Sequence, residues 1–184
     1  MSFFKNNEPP GGPNATGEEE ITGTVERVVF HSDESGYTVC VVRPPKGSEQ
    51  TLVGVCATIW AGQEIKATGA WTRHKEHGLQ FNASRLLCIE PYSAEGIRRY
   101  LASGIIKGVG KVIADRLVDK FGDDTLRIIE KESARLRHVH GIGSKRREQI
   151  RLAWQEQKAV RDIMLFLHSH GVSASQAVRI HKQY

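Results

Sequence analysis

The sequence predicts an α+β chain with two folded regions. Residues 21–91 read as a small five-stranded closed β-barrel, and residues 92–184 as an all-α domain of repeated helical hairpins. Three observations carry this. Residues 21–90 break into five short runs rich in β-branched and aromatic side chains, punctuated by Gly, Pro, Asp and Ser. Beyond Pro91 the apolar residues recur at helical spacing. A single motif also occurs twice in the helical region: Ile106-Lys107-Gly108-Val109-Gly110-Lys111, then Val139-His140-Gly141-Ile142-Gly143-Ser144, 33 residues later. The same offset lays Leu117 on Ile150 and Phe121 on Trp154. A degenerate third copy, Gly171-Val172-Ser173, lays Ile180 on Leu117 and Tyr184 on Phe121. Repeats at such a period are one supersecondary unit used again.

The elements follow in order. Residues 1–20, rich in Pro, Gly, Asn and Glu, read as a disordered tail. Strands are expected at 21–30, 37–43, 51–55, 64–74 and 79–89, with turns at Asp33-Glu34-Ser35-Gly36, Pro44-Pro45-Lys46-Gly47-Ser48 and Glu76-His77-Gly78. Gly54 and Gly69, inside strands, mark bulges or barrel corners. Five strands in about 70 residues is the size of an OB-fold, a small Greek-key barrel. Pro91 ends the barrel, and Ser93 or Tyr92 opens a helix that runs to Ala102 and stops at Gly104. Helices are expected at 112–121 and 125–132, then a turn at 134–137. A long helix follows over 145–169, N-capped by Ser144 and stopped by Gly171. Ser173 and Gln176 form a capping box for a last helix. That helix is barely finished at Tyr184, which leads us to expect a longer natural protein.

Charge divides along the same line. The net charge is +5 and the pI about 9.2. Residues 1–91 carry 8 basic against 11 acidic side chains, whereas residues 92–184 carry 18 against 10. The basic surplus therefore lies on the repeat half, which points to an acidic partner there. Cys40, Cys56 and Cys88 form no Cys-x-x-Cys pair and read as small buried hydrophobes in a reducing compartment. No apolar run has transmembrane length and residues 1–20 are too polar for a signal peptide, so a cytoplasmic location without membrane contact is expected.

The repeated turn has a physical logic. Glycines on either side of one apolar residue permit positive φ and close approach of the backbone to a ligand. The apolar residue, Val109 or Ile142, points back between the helices. The amides of the next helix then face an anion, assisted by the helix dipole. The unit resembles the helix-hairpin-helix motif, whose ligand is a DNA phosphate, contacted without reading bases. The candidate DNA-binding residues are Gly108, Val109, Gly110 and Lys111 in hairpin one, and Gly141, Ile142, Gly143, Ser144, Lys145, Arg146 and Arg147 in hairpin two. The third unit has Ser173 in place of the second glycine and is expected to be structural.

A barrel followed by tandem hairpins narrows the families, and two runs narrow them further. Phe30-His31-Ser32-Asp33-Glu34-Ser35-Gly36-Tyr37-Thr38-Val39 and Gly69-Ala70-Trp71-Thr72-Arg73-His74-Lys75-Glu76-His77-Gly78-Leu79-Gln80-Phe81 resemble the N-terminal region of RecD/TraA-type superfamily 1 DNA helicases. The resemblance implies a parent with an ATP-driven 5′–3′ motor on single-stranded DNA, acting in repair or recombination. It also implies as partners single-stranded or forked DNA, the protein's own C-terminal motor domains, and a repair or replication protein. This sequence has no Gly-x-x-x-x-Gly-Lys-[Ser/Thr] loop; the nearest stretch is Gly104…Gly110-Lys111-Val112, with wrong spacing and no hydroxyl for magnesium. These residues alone are therefore not expected to form an enzyme. No cofactor is expected in them, ATP and magnesium belonging to the motor.

Other readings are weaker. Tyr37, Trp71 and Phe81 are candidates for base stacking. Strand aromatics are more often core, however, and residues 21–90 carry 7 basic and 7 acidic side chains, not the basic excess of a single-strand groove. The pairs His74/His77, His138/His140 and His168/His170 lack partners for a metal site. Helix-hairpin-helix glycosylases share the Gly-apolar-Gly turn, but no catalytic set accompanies it here. A RuvA-like DNA-junction binder would have the same barrel and hairpins. A protein-interaction module acting through the neutral barrel is the remaining alternative.

Overall fold

The computed structural model describes residues 17–183, apart from the side chains of His168 and Lys182. Five strands, β1 (Glu19–His31), β2 (Tyr37–Arg43), β3 (Gln50–Val55), β4 (Glu64–His74) and β5 (Gly78–Ile89), close a barrel in the order β1-β2-β3-β5-β4. The closing pair β3–β5 is parallel and the other pairings are antiparallel. The expected strands are all present, with one correction. β1 starts at Glu19, inside the stretch read as tail, because Glu19 and Glu20 pair with Gly69 and Thr68. Glu18 accepts a hydrogen bond from Ser84 at 2.8 Å, and Glu19 one from the Trp71 indole at 3.1 Å. Acidic composition suggested disorder, but these cross-strand partners outweigh it. The rest of the expected tail, residues 1–16, lies outside the described residues.

The barrel core is the inward set of alternating strand residues, among them Val25, Cys40, Leu52, Ile65 and Phe81. Burial pushes the Cys40 thiol up to about 12, so it stays protonated as a small apolar filler. Gly69 stands at a break in the β4–β5 register, between Thr68 and Gly69. A Cβ there would lie 2.0 Å from the Asn82 carbonyl oxygen. Gly54 is needed for closeness of another kind, its missing Cβ leaving room for Ala83 and Leu86 at 3.2 Å.

Among the described residues five α-helices follow: α1 (Ala94–Ala102), α2 (Lys111–Phe121), α3 (Thr125–Lys131), α4 (Ser144–Ser169) and α5 (Ala174–Gln183). Ser93 caps α1, accepting from the Gly96 amide at 3.2 Å, and Gly104, at φ 92°, turns the chain out of it. The turn expected at 134–137 is a 3₁₀ helix, Ser133–His138. Ser144 is not the N-cap of α4 but its first residue. Gly143 holds the cap position, its carbonyl accepting from the Arg147 amide at 2.9 Å. The capping box of α5 is reciprocal, Ser173 Oγ accepting from the Gln176 amide and Gln176 Oε1 from the Ser173 amide.

The helices share a second core, in which Leu101, Leu117, Ile129, Leu136, Ile150 and Trp154 are buried. Polar contacts join it to the barrel. Arg161 of α4 pairs with Glu90, donates to the Tyr100 hydroxyl at 3.0 Å and lies 5.0 Å over the Trp154 ring. Arg99 of α1 reaches Glu26 of β1 at 2.7 Å. The third repeat diverges here. α5 buries Ala177 and Val178 and leaves Ile180 exposed, because Val178 packs within 2.9 Å of the space a Cβ on Gly36 would fill.

Gly69→Ala should cost about 3 kcal/mol, the upper end of overpacking, read as a fall in the denaturation midpoint. Arg161→Ala strips a half-buried carboxylate of its partner. It should cost roughly 1–2 kcal/mol, less than a fully buried pair because Glu90 is partly solvated, and make the seam between barrel and helices more susceptible to proteolysis.

Candidate nucleic-acid interface

The two repeated turns fold alike. The Val109 amide donates to the Ile106 carbonyl, and the Ile142 amide to the Val139 carbonyl, each at 3.0 Å. Val109 and Ile142 are both buried and anchor the turns. The two glycines of each turn do different things. Gly108 and Gly141 have φ of 92° and 89°, a region that favours glycine. Gly110 and Gly143 lie outside that region, and a Cβ on either would meet nothing within 4 Å. Their backbone therefore faces open space at the head of a helix. Gly110 offers α2 no side-chain cap, so the first amides of that helix are free for an anion. The third turn differs, since Ser173 and Gln176 already occupy each other's amides.

The hairpins pack reciprocally. A Cβ on Gly141 would stand 3.0 Å from Arg116 Nη1 and 3.2 Å from Ile113 Cδ1, both on α2. One on Gly108 would have Gln149 Oε1 of α4 as its neighbour, at 3.8 Å. Residues 116 and 149 are themselves one repeat apart, so each hairpin's second helix covers the other's turn. Such exchange of equivalent contacts is the mark of a two-fold relation. It places both turns about one approximate axis.

Ion pairing sorts the cations. Arg98 is held by Asp115 and Asp119, Arg127 by Asp124 and Glu132, Arg135 by Glu132, Arg151 by Glu148, and Lys158 by Glu130. Hydrogen bonds from these arginines hold the carboxyls of Asp124, Glu132 and Glu148 below their usual range. Among the described residues of the helical domain, the lysines and arginines with no acidic partner are Lys107, Lys111, Arg116, Lys120, Lys131, Arg137, Lys145, Arg146, Arg147 and Arg179. All but Lys131 and Arg179 border the two turns or the helices that start from them. Three are tied to the backbone of hairpin two: Arg116 donates to the His140 carbonyl at 3.1 Å, Lys120 to that of His138 at 2.9 Å, and Arg146 to that of Gly141 at 2.6 Å. Residues 137–143 line an open depression of about 580 Å³ beside them.

The structure thus brings together the residues expected at the hairpins, with two adjustments. Arg147 turns inward, its Nε buried without a partner. Arg116 and Lys120 join hairpin two from the other hairpin, which the sequence hid because reciprocal packing leaves no local signal.

The aromatic candidates separate. Phe81 is fully buried, so it is core and offers no face to a base. Trp71 is half-buried, edge-on to Phe81 at 5.2 Å, with its indole nitrogen spent on Glu19. Tyr37 is exposed, and Phe30, not anticipated, stands 6.1 Å from it. His74 and His77 stack at 4.7 Å. Among the described residues no three His, Cys, Asp or Glu side chains converge as a metal site would require, and no helix is long and apolar enough to cross a membrane. The Gly110-Lys111-Val112 stretch does not fit an ATP phosphate loop either, because Val112 has no hydroxyl for magnesium.

Comparison with known proteins agrees with this architecture. Residues 18–91 match the family described as the OB-fold domain of the ATP-dependent DNA helicase YrrC. A curated relative, the ATP-dependent RecD2 DNA helicase of Deinococcus radiodurans, is 27% identical over 171 residues, covering 89% of this chain and 24% of that protein. The chain therefore spans about a quarter of the relative's length. Among solved structures, the S. pombe Stn1–Ten1 complex shares 12% identity over 39% of this chain and 57% of its own, with a TM-score of 0.32, too low to support any argument. Residues 18–91 thus form a closed OB-like barrel that matches the OB-fold domain of YrrC/RecD-type helicases, in a chain similar to RecD2 helicase over most of its length.

Proposed function

We propose that this chain is the DNA-binding region of a RecD-like 5′–3′ helicase of repair or recombination, gripping the phosphate backbone through two helix-hairpin-helix turns without reading sequence. One observation carries the reading: the cations left without acidic partners gather at the two turns whose second glycines face open space. The amides of the first turns of α2 and α4 donate to phosphate oxygens, and Lys111, Lys145 and Arg146 supply attraction at longer range. Unwinding and ATP hydrolysis belong to motor domains that this sequence does not contain.

Gly110→Leu and Gly143→Leu are clean tests, because neither position has positive φ and neither Cβ meets a neighbour. Each should cost no more than about 1 kcal/mol of stability, the loss of a favoured N-cap residue, and weaken binding about tenfold on every DNA sequence alike, as loss of a backbone contact predicts. Fluorescence anisotropy with labelled single-stranded, duplex, forked and four-way DNA at two salt concentrations reads this. Loss confined to one sequence would contradict it, and a strong four-way preference would favour a RuvA-like junction binder.

A second reading has its own support. Phe30 and Tyr37 form an exposed aromatic pair on the barrel, and the turn between their strands carries the exposed acids Asp33 and Glu34. That mixture suits a protein partner better than a polyanion. Replacing Phe30 and Tyr37 together by Ser should leave DNA affinity within about twofold; a larger loss on single strands alone would instead put stacked bases on the barrel.

A further inference from the structure

The two turns are built alike but are not charged alike. Each cation fastened to hairpin two has a neutral counterpart one repeat away. Arg116 corresponds to Gln149, Lys120 to Ala153, and Arg146 to Ile113. At hairpin two, Arg116 Nη1 donates to the His140 carbonyl and stands 3.0 Å from the position of a Gly141 Cβ, with Arg146 Nη1 at 3.9 Å. Lys120, one helical turn further along α2, donates to the His138 carbonyl. These contacts use neutral carbonyls, so the positive charges remain uncompensated and fixed in place. At hairpin one the crossing residue is Gln149, an uncharged amide 3.8 Å from the position of a Gly108 Cβ. Ala153 carries no charge, and Ile113 is buried. Hairpin one keeps only the exposed Lys107 and Lys111.

We infer that the two phosphate sites are unequal: hairpin two is the anchor, completed across the two-fold by Arg116 and Lys120 of hairpin one, while hairpin one makes the lighter contact. The inference rests on the DNA-backbone reading above and adds a difference between the turns that the repeat alone would not show. Arg116 and Lys120 act as positioning residues, holding the turn and presenting charge to the phosphate it binds. An approximately symmetric pair of turns thereby acquires a direction, because two backbone segments related by the axis are held with different strength.

The test is anisotropy of the whole chain with labelled duplex and forked DNA across a salt series, with thermal melting alongside. Arg116→Gln should weaken binding several-fold at low salt and lower the slope of log affinity against log salt by about 1, the value of one lost phosphate contact, whereas Arg116→Lys should keep the slope. Gln149→Arg supplies the missing cation at hairpin one and should strengthen binding and raise the slope by about 1. Gly143→Leu should cost more affinity than Gly110→Leu. If Arg116→Gln and Gln149→Arg leave the slope unchanged while both glycine variants weaken binding equally, the inequality is wrong and the backbone reading survives. If none of these variants alters binding, both fall.

Discussion

Everything the hairpins present depends on their reciprocal packing. Neither turn is shaped by its own hairpin alone. Ile113 and Arg116 of α2 press on Gly141, and Gln149 of α4 lies over Gly108. Val109 and Ile142 then fill the shared interior together with Leu117 and Ile150. A single helical hairpin has too little apolar area to stay folded. Two around one axis bury each other's faces and leave only the turns outside. The glycines follow from this. One in each turn is required by φ, and the other leaves the approach open.

Charge is organised by the same packing. The helical domain carries ten acids, and seven of them pair with arginines or lysines that do not belong to the two turns themselves. Asp115 and Asp119 face Arg98 on α1, and Glu132 faces Arg127 and Arg135. Surface pairs of this kind add little stability. Their consequence here is spatial, since they remove competing positive charge elsewhere and leave a field concentrated at the turns. A net charge counted over residues 92–184 shows the surplus but not its place.

Much of this was legible in the sequence, and most of the exceptions share a cause. Strand positions, the Gly69 bulge, the Ser93 cap and the doubled turn were all visible because each is written in a few neighbouring residues. Most of what was missed depends on residues far apart in the chain, the cap of α4 being the local exception. Glu19 joins β1 because β4 lies beside it. Phe81 is buried because its side of β5 faces the barrel interior, whereas Phe30 is exposed through a shift in β1 register between Val28 and Phe30. Ser144 looks like an N-cap by type, but the turn's register gives that position to Gly143. Arg116 and Lys120 read as ordinary surface residues of α2 until hairpin two is placed against them.

Two ion pairs tie the barrel to the helices, Arg99–Glu26 and Arg161–Glu90, and α4 carries the second. It spans 26 residues, about 39 Å at the helical rise. It begins at the turn of hairpin two. Beyond Trp154 it carries Arg161, which fastens it to Glu90 at the end of the barrel and to Tyr100 of α1. Burial opposes ionisation of Glu90 while the Arg161 charge favours it, so the pair holds only if the guanidinium stays in place. The cation–π contact with Trp154 and the bond to Tyr100 keep it there. A displacement imposed at the turn of hairpin two would therefore be carried along α4 to its contact with the barrel at Glu90. The neutral barrel is the body against which the hairpins are held.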